Sequence, residues 1–126
     1  MPVWAALALA VGPHMRAPGG PWAWAVLAFL LPAAEELVFR GLLQGQLLRL
    51  SAWRRVGPVS AANLLTSFAF AVAHLWAQPP AWALATMVPS LVLGHLRERL
   101  GSVWPAVMLH AFYNAGFFFV AVLLRH

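Results

Sequence analysis

The chain alternates long apolar stretches with short connections that contain proline, glycine or arginine. A membrane-spanning helix needs about 20 mostly apolar residues, and four stretches are long enough: about 22–50, 59–76, 81–100 and 103–124. The pattern therefore predicts an all-α fold, a polytopic transmembrane bundle of about four spanning helices. Pro32 predicts a kink in the first stretch, and Pro89 lies inside the third. A further apolar segment, residues 3–11, is too short to cross a membrane alone.

The composition supports a membrane protein. Hydrophobic residues make up 63% of the 126 residues and charged residues 9%, whereas a soluble domain is roughly half apolar and about a quarter charged. These values exclude a water-soluble monomer and a disordered chain. The net charge of +5 comes from arginines that lie singly or in pairs between apolar stretches, so it indicates topology rather than nucleic-acid binding. With no cysteine, the chain has no disulfide or thiol chemistry.

The distribution of arginine predicts the orientation of the chain. If the four predicted helices alternate, one side of the membrane carries five arginines: Arg49, Arg54, Arg55, Arg97 and Arg99. The other side carries Arg16 and Arg125. Because the arginine-rich side of a membrane protein is usually cytoplasmic, we expect the loops near Arg54 and Arg99 to face the cytoplasm.

Three groups of polar residues interrupt the apolar stretches, and ionisable groups at membrane depth are costly and usually functional. The first group is Glu35-Glu36-Leu37-Val38-Phe39-Arg40. Glu36 and Arg40 are four residues apart on one helix face, which predicts an ion pair. Glu35 points about 100° away from Glu36, so we expect its carboxylate to face a cavity. A structural charge cluster of Glu35, Glu36 and Arg40 is the alternative.

The second and third groups lie on later predicted helices. The second forms a stripe at spacings of four, three and four: Asn63, Ser67, Phe70 and His74. In the third, His110 and Asn114 are one turn apart. Each group alone is also explained as hydrogen bonding between helices. Together the three groups supply a carboxylate, two imidazoles and a carboxamide at depths that agree within about two helical turns, which predicts a shared intramembrane site.

The three motifs resemble those of a known family. Glu-Glu-x-x-x-Arg, Phe-x-x-x-His and His-x-x-x-Asn, in this order, resemble the CPBP family of CAAX prenyl proteases and bacteriocin-processing enzymes, also called the Abi family of intramembrane proteases. The resemblance covers about residues 32–117. It implies a protease core over residues 21–126, preceded by a short N-terminal apolar segment and loop over residues 1–20. The expected location is the inner membrane of a bacterium.

The resemblance implies an intramembrane endopeptidase that hydrolyses a peptide bond near the membrane surface. Carried over by position, its catalytic residues would be Glu35, His74, His110 and Asn114. The first would be the general base that activates a water, the second would hold that water, and the last two would donate hydrogen bonds to the oxyanion. The supporting residues would be Glu36, Arg40 and Phe70. The implied partners are a peptide or protein substrate and the lipid bilayer, with no nucleic acid.

Several alternatives stay open at this point. Glu35, His74 and His110 could bind zinc, because two histidines and a glutamate form many catalytic zinc sites. The chain has no His-Glu-x-x-His motif and the Asn114 carboxamide is a poor zinc ligand, so we favour a mechanism without a metal or other cofactor. A catalytically silent immunity or scaffold protein would have no need for all four candidate residues. A proton or ion pathway is disfavoured because the chain shows no internal repeat.

Overall fold

The computed structural model describes residues 17–50 and 54–124, and their regular structure is helical except for one short hairpin. Strands β1 (Arg55–Val56) and β2 (Val59–Ser60) pair antiparallel. The turn between them contains Gly57 at a φ of 65°, a left-handed conformation that glycine adopts without a steric penalty. The predicted all-α fold is thus confirmed. The apolar segment at 3–11, Arg16 and Arg125 lie outside the described residues.

The first helix, α1, covers residues 21–49 and changes between α and π geometry. It is α-helical at Pro21–Ala25, Leu31–Glu36 and Gly45–Arg49, and π-helical at Val26–Leu30 and Leu37–Gln44. The helix continues through Pro32, where the sequence predicted a kink. Proline lacks an N–H, and its ring crowds the carbonyl four residues earlier. The π segment directly before Pro32 accommodates both effects, because its hydrogen bonds join residues five apart.

In the second half of α1 every fourth residue is buried, and together they form a row: Glu36, Arg40, Gln44 and Leu48. In a regular α-helix a step of four residues turns about 40° past a full turn. Over three such steps the row would wind about 120° around the helix. The π segment Leu37–Gln44 holds more residues per turn and opposes this drift, which explains how a strict period of four remains buried.

The remaining helices are α2 (Ala61–His74), α3 (Pro80–Ala85), α4 (Met87–Leu100) and α5 (Trp104–Leu123). The predicted stretch 59–76 was too long, because Ser60 ends β2 and caps α2, its side chain accepting a hydrogen bond from the Asn63 backbone N–H at 3.0 Å. The predicted stretch 81–100 divides at Thr86. Pro89 lies in the first turn of α4, where backbone N–H groups need no helical partner, so it does not break that helix.

The described residues fall into two compact units. One joins the part of α1 up to Ala34 to the chain from Met108 onwards, and the other is Glu35–Val107. The second unit contains the hairpin, α2, α3 and α4. It therefore holds the first two polar motifs, whereas His110 and Asn114 belong to the first unit.

Helix α2 buries polar residues and exposes apolar ones. Its buried side includes Asn63, Thr66 and Ser67. Its exposed side consists of large apolar residues: Leu64, Leu65, Phe68 and Val72. This pattern is the inverse of a helix on the surface of a soluble protein and is typical of a helix that places polar side chains between helices and apolar ones against lipid.

Among the described residues, α5 is the one helix long and apolar enough to cross a membrane by itself. Helix α2 is apolar but has 14 residues, a length of about 21 Å against a hydrocarbon core of about 30 Å. The helical architecture is confirmed by the elements themselves. The count of four spanning helices stays a prediction.

Candidate active site

The first motif forms the ion pair that its spacing predicts. Arg40 Nε lies 3.3 Å from Glu36 Oε2, and both side chains are fully buried. A buried ion pair is favourable only where further polar groups satisfy its remaining donors and acceptors. Nη2 of Arg40 has such partners, because it donates to the carbonyl oxygen of Ser90 at 2.8 Å and to its hydroxyl at 2.6 Å, whereas Nε and Nη1 have no hydrogen-bond partner among the described residues. The pair is therefore anchored on α4.

Phe70 joins the first motif to the second. Its ring packs edge-on against Phe39 at a centroid distance of 5.1 Å, and Arg40 Cζ lies over the same ring at 5.1 Å. The His74 ring lies 4.3 Å from the Phe70 ring. The structure therefore brings the Phe-x-x-x-His motif of α2 against the Glu-Glu-x-x-x-Arg motif of α1.

The hydrogen bond of His74 defines how its ring can act. Its Nδ1 lies 2.8 Å from the backbone carbonyl oxygen of Phe70. A carbonyl oxygen can only accept, so Nδ1 carries the hydrogen and donates it. In the neutral imidazole, Nε2 then holds a lone pair that can accept from a water or bind a metal. The ring is half-buried, which lets it reach solvent or substrate.

The two glutamates differ in their surroundings. Glu36 is fully buried in the ion pair, whereas Glu35 is half-buried. Glu35 also interacts with the charge of Arg40, but less strongly than Glu36 does. The two carboxylates thus differ in burial, and the cavity predicted beside Glu35 stays a prediction. The role of Glu35 as the base stays a prediction.

The polar stripe of α2 is held by α4. Asn63 Nδ2 donates to the Leu91 carbonyl at 2.9 Å, Ser67 donates to Asn63 Oδ1 at 3.2 Å, and Ser90 donates to Ser67 at 2.9 Å. Ser90 was not predicted from the sequence. A signal was present, because Ser90 and Gly94 are small residues four positions apart, the spacing at which membrane helices approach closely.

Gln44 and Glu98 were also missed. Gln44 is fully buried on α1, four residues after Arg40, and its amide donates to the Gly94 carbonyl at 3.1 Å. Glu98, in the last turn of α4, accepts a hydrogen bond from the Ser60 hydroxyl. Both contacts join segments more than 35 residues apart. They therefore stabilise the packing around the first two motifs and supply no further candidate catalytic group.

The third motif lies on α5, in the other unit. His110 is buried, with 8% of its surface exposed. Asn114 is half-buried, and its amide donates to the Leu27 carbonyl of α1 at 3.0 Å. One of its two amide hydrogens is therefore used within its own unit, and the other is available to a ligand. Oxyanion binding by His110 and Asn114 stays a prediction.

The three candidate metal ligands belong to two different units. Among the described residues of Glu35–Val107, no three His, Asp or Glu side chains converge as a metal site. Catalytic zinc sites usually have three protein ligands. The alternative set of Glu35, His74 and His110 takes its third ligand from the unit that contains α5, and it stays an alternative.

One comparison with known proteins gives a match. A family model described as type II CAAX prenyl endopeptidase, Rce1-like, matches residues 17–116. This range contains all three polar motifs and covers most of the chain. No curated protein and no solved structure shows significant similarity.

Proposed function

The chain belongs to the Rce1-like family of type II CAAX prenyl endopeptidases, which makes it a membrane-embedded protease, and we propose that it cleaves peptide bonds with a water activated by Glu35. The observation that carries this proposal is the contact between the first two motifs. Phe70 touches Phe39 and Arg40 on one side and the His74 ring on another. A carboxylate motif and an imidazole with a defined tautomer thereby adjoin each other.

We assign the base to Glu35 rather than Glu36 on the difference in their burial. Glu36 is fully buried beside Arg40 at 3.3 Å, and removing a partner from a buried ion pair is costly. Glu35 is half-buried and so can reach a water. In the proposed reaction, His74 Nε2 accepts a hydrogen bond from that water while Glu35 takes its other proton.

The remaining steps follow the chemistry of amide hydrolysis. The water oxygen attacks the substrate carbonyl carbon, and the carbonyl oxygen becomes an oxyanion. His110 and Asn114 donate hydrogen bonds to that oxyanion, which has most effect where water is scarce. Glu35 then returns its proton to the leaving nitrogen, and the C–N bond breaks. No step requires a metal.

The proposal extends to the substrate of the protein and to the membrane in which it lies. We propose a peptide or protein substrate cut near the membrane surface, such as a leader, a bacteriocin or a C-terminal sorting peptide. We place the protein in the inner membrane of a bacterium, with four spanning helices and with Arg54 and Arg99 on the cytoplasmic side. The arginine distribution supports this orientation.

The test compares Glu35→Gln with its neighbour Glu36→Gln in detergent. The substrate is an internally quenched peptide that ends in a prenylated CAAX sequence, together with the same peptide without the lipid. Glu35→Gln keeps the shape of the side chain but removes the base, so cleavage should fall by at least about 100-fold at unchanged folded yield. Glu36→Gln should mainly lower the folded yield, because Arg40 loses its ion-pair partner. A well-folded but inactive Glu36→Gln beside an active Glu35→Gln would reverse the two assignments.

A further inference from the structure

The guanidinium of Arg40 contacts Glu36, Phe70 and Ser90. Its Nε lies 3.3 Å from Glu36 Oε2, and its Cζ lies over the Phe70 ring. Its Nη2 donates to two oxygens of Ser90, the carbonyl at 2.8 Å and the hydroxyl at 2.6 Å. Ser90 is fully buried on α4, a helix that carries none of the three motifs. A residue outside the motifs therefore defines where Arg40 lies.

The chain of hydrogen bonds that begins at Arg40 runs in one direction, away from the guanidinium. Arginine has only donors, so the Ser90 hydroxyl must accept from Arg40 and use its own hydrogen elsewhere. It donates to the Ser67 hydroxyl at 2.9 Å, and Ser67 donates to Asn63 Oδ1 at 3.2 Å. The Asn63 amide then donates to the Leu91 carbonyl at 2.9 Å. Such a chain, which begins at a cation, polarises each hydroxyl and strengthens the hydrogen bond that the hydroxyl donates to the next group.

We propose that Ser90 is a positioning residue of the endopeptidase, which acts through Arg40 on both Glu35 and His74. This inference rests on the proposed function. Arg40 pairs with Glu36, the neighbour of Glu35, and packs on the Phe70 ring, against which the His74 ring lies at 4.3 Å. A displaced guanidinium would therefore move the proposed base and the water-holding imidazole together.

The backbone contact makes Ser90→Ala an informative variant. Alanine keeps the carbonyl oxygen that accepts from Arg40 at 2.8 Å, so the buried cation keeps a partner and the fold should survive. The variant removes the hydroxyl at 2.6 Å, so Nη2 loses one of its two acceptors and the guanidinium is less firmly placed between the Ser90 carbonyl, Glu36 and the Phe70 ring. Since misplacement by about 1 Å can cost about 100-fold in rate, we expect kcat to fall by about 10- to 100-fold with KM within about 2-fold.

The matched control is Thr66→Val, on the buried side of α2. Thr66 is fully buried, and its hydroxyl has no hydrogen-bond partner among the described residues. Valine has nearly the same shape, so this variant removes a buried hydroxyl without touching the chain from Ser90 to Asn63. We expect kcat and the unfolding midpoint of Thr66→Val to match the wild type. Ser90→Thr, which restores the hydroxyl, should recover most of the lost kcat.

The experiment measures kcat and KM on the quenched peptides for these three variants, with thermal unfolding in detergent beside them. Nitrogen-15 NMR of the Arg40 guanidinium supplies a readout independent of cleavage, because its slowly exchanging Nη protons should be seen in the wild type and lost in Ser90→Ala. Equal kcat in Ser90→Ala and Thr66→Val would overturn the role of Ser90, as would loss of Arg40 order at unchanged kcat. A wild type that cleaves neither peptide, with Glu35→Gln identical to it, would instead remove the proposed function itself.

Discussion

Gly94 is the position where a single methyl group should destabilise the protein most clearly. A Cβ at Gly94 would lie 1.9 Å from Asn63 Oδ1 and 2.4 Å from its Cγ. Real Cβ contacts are essentially never shorter than 3.0 Å, so Gly94→Ala requires the two groups to separate by at least about 1.1 Å. Asn63 has 1% of its surface exposed, which leaves its amide no path to solvent.

The hydrogen bonds of the Asn63 side chain determine how much this separation lowers the free energy of unfolding. A shift of that size stretches the bond to the Leu91 carbonyl from 2.9 Å and the bond from Ser67 from 3.2 Å, beyond hydrogen-bonding distance. Each buried polar group left unsatisfied costs about 1–3 kcal/mol. The helical preference of alanine over glycine returns about 0.5–1 kcal/mol. With two such groups affected, we expect Gly94→Ala to lower the free energy of unfolding by about 1–5 kcal/mol.

The assay is unfolding in mixed detergent micelles, followed by far-ultraviolet circular dichroism. Gly41→Ala is the matched control, because a Cβ there has its nearest neighbour, the Glu36 carbonyl oxygen, at 4.0 Å. That variant should be as stable as the wild type or more stable by up to about 1 kcal/mol. If Gly94→Ala unfolded within about 0.5 kcal/mol of the wild type, the close approach of α2 and α4 at Asn63 would be refuted.

Three further predictions concern topology and mechanism. Cysteines placed beside Arg54 and Arg99 should be labelled from the cytoplasmic side and one beside Gln78 from the other; labelling of the Arg54 and Gln78 sites from one side would contradict the four-span topology. Activity should survive exhaustive chelation, and the purified protein should hold no stoichiometric metal; one zinc per chain with chelator-reversible inactivation would instead support the zinc mechanism. Asn114→Ala should lower kcat more than it raises KM, as expected for a contact made in the transition state, and a pure KM effect would remove it from the oxyanion site.

Local spacing predicted those parts of the fold that depend on a single helix. The stretch predicted at 103–124 is α5, Trp104–Leu123, because its one internal proline, Pro105, lies in the first turn, where it is tolerated. The ion pair of Glu36 and Arg40 also followed from a four-residue spacing and is present. Both features are decided within one or a few turns of helix.

Features decided by distant contacts could not be predicted in this way. Arg40 and Ser90 are 50 residues apart, as are Gln44 and Gly94, and no local period connects them. The hairpin before α2 was not predicted, although Gly57-Pro58 is a turn signal. Strand β2 fell inside the helix predicted at 59–76 and β1 fell in the connection before it, because the strands have two residues each. The π segments of α1 were missed because an assumed period of 3.6 residues leaves no place for a period of four.

The buried row of α1 limits how the length of this helix can change in evolution. Its buried positions recur every four residues from Glu36 to Leu48, so insertion of one residue between two of them would turn the later side chains by about 100° relative to the earlier ones. Insertion of four residues would restore the phase. Homologous chains should therefore vary in α1 by multiples of four residues, and insertions of one or two should be confined to the ends of the helix.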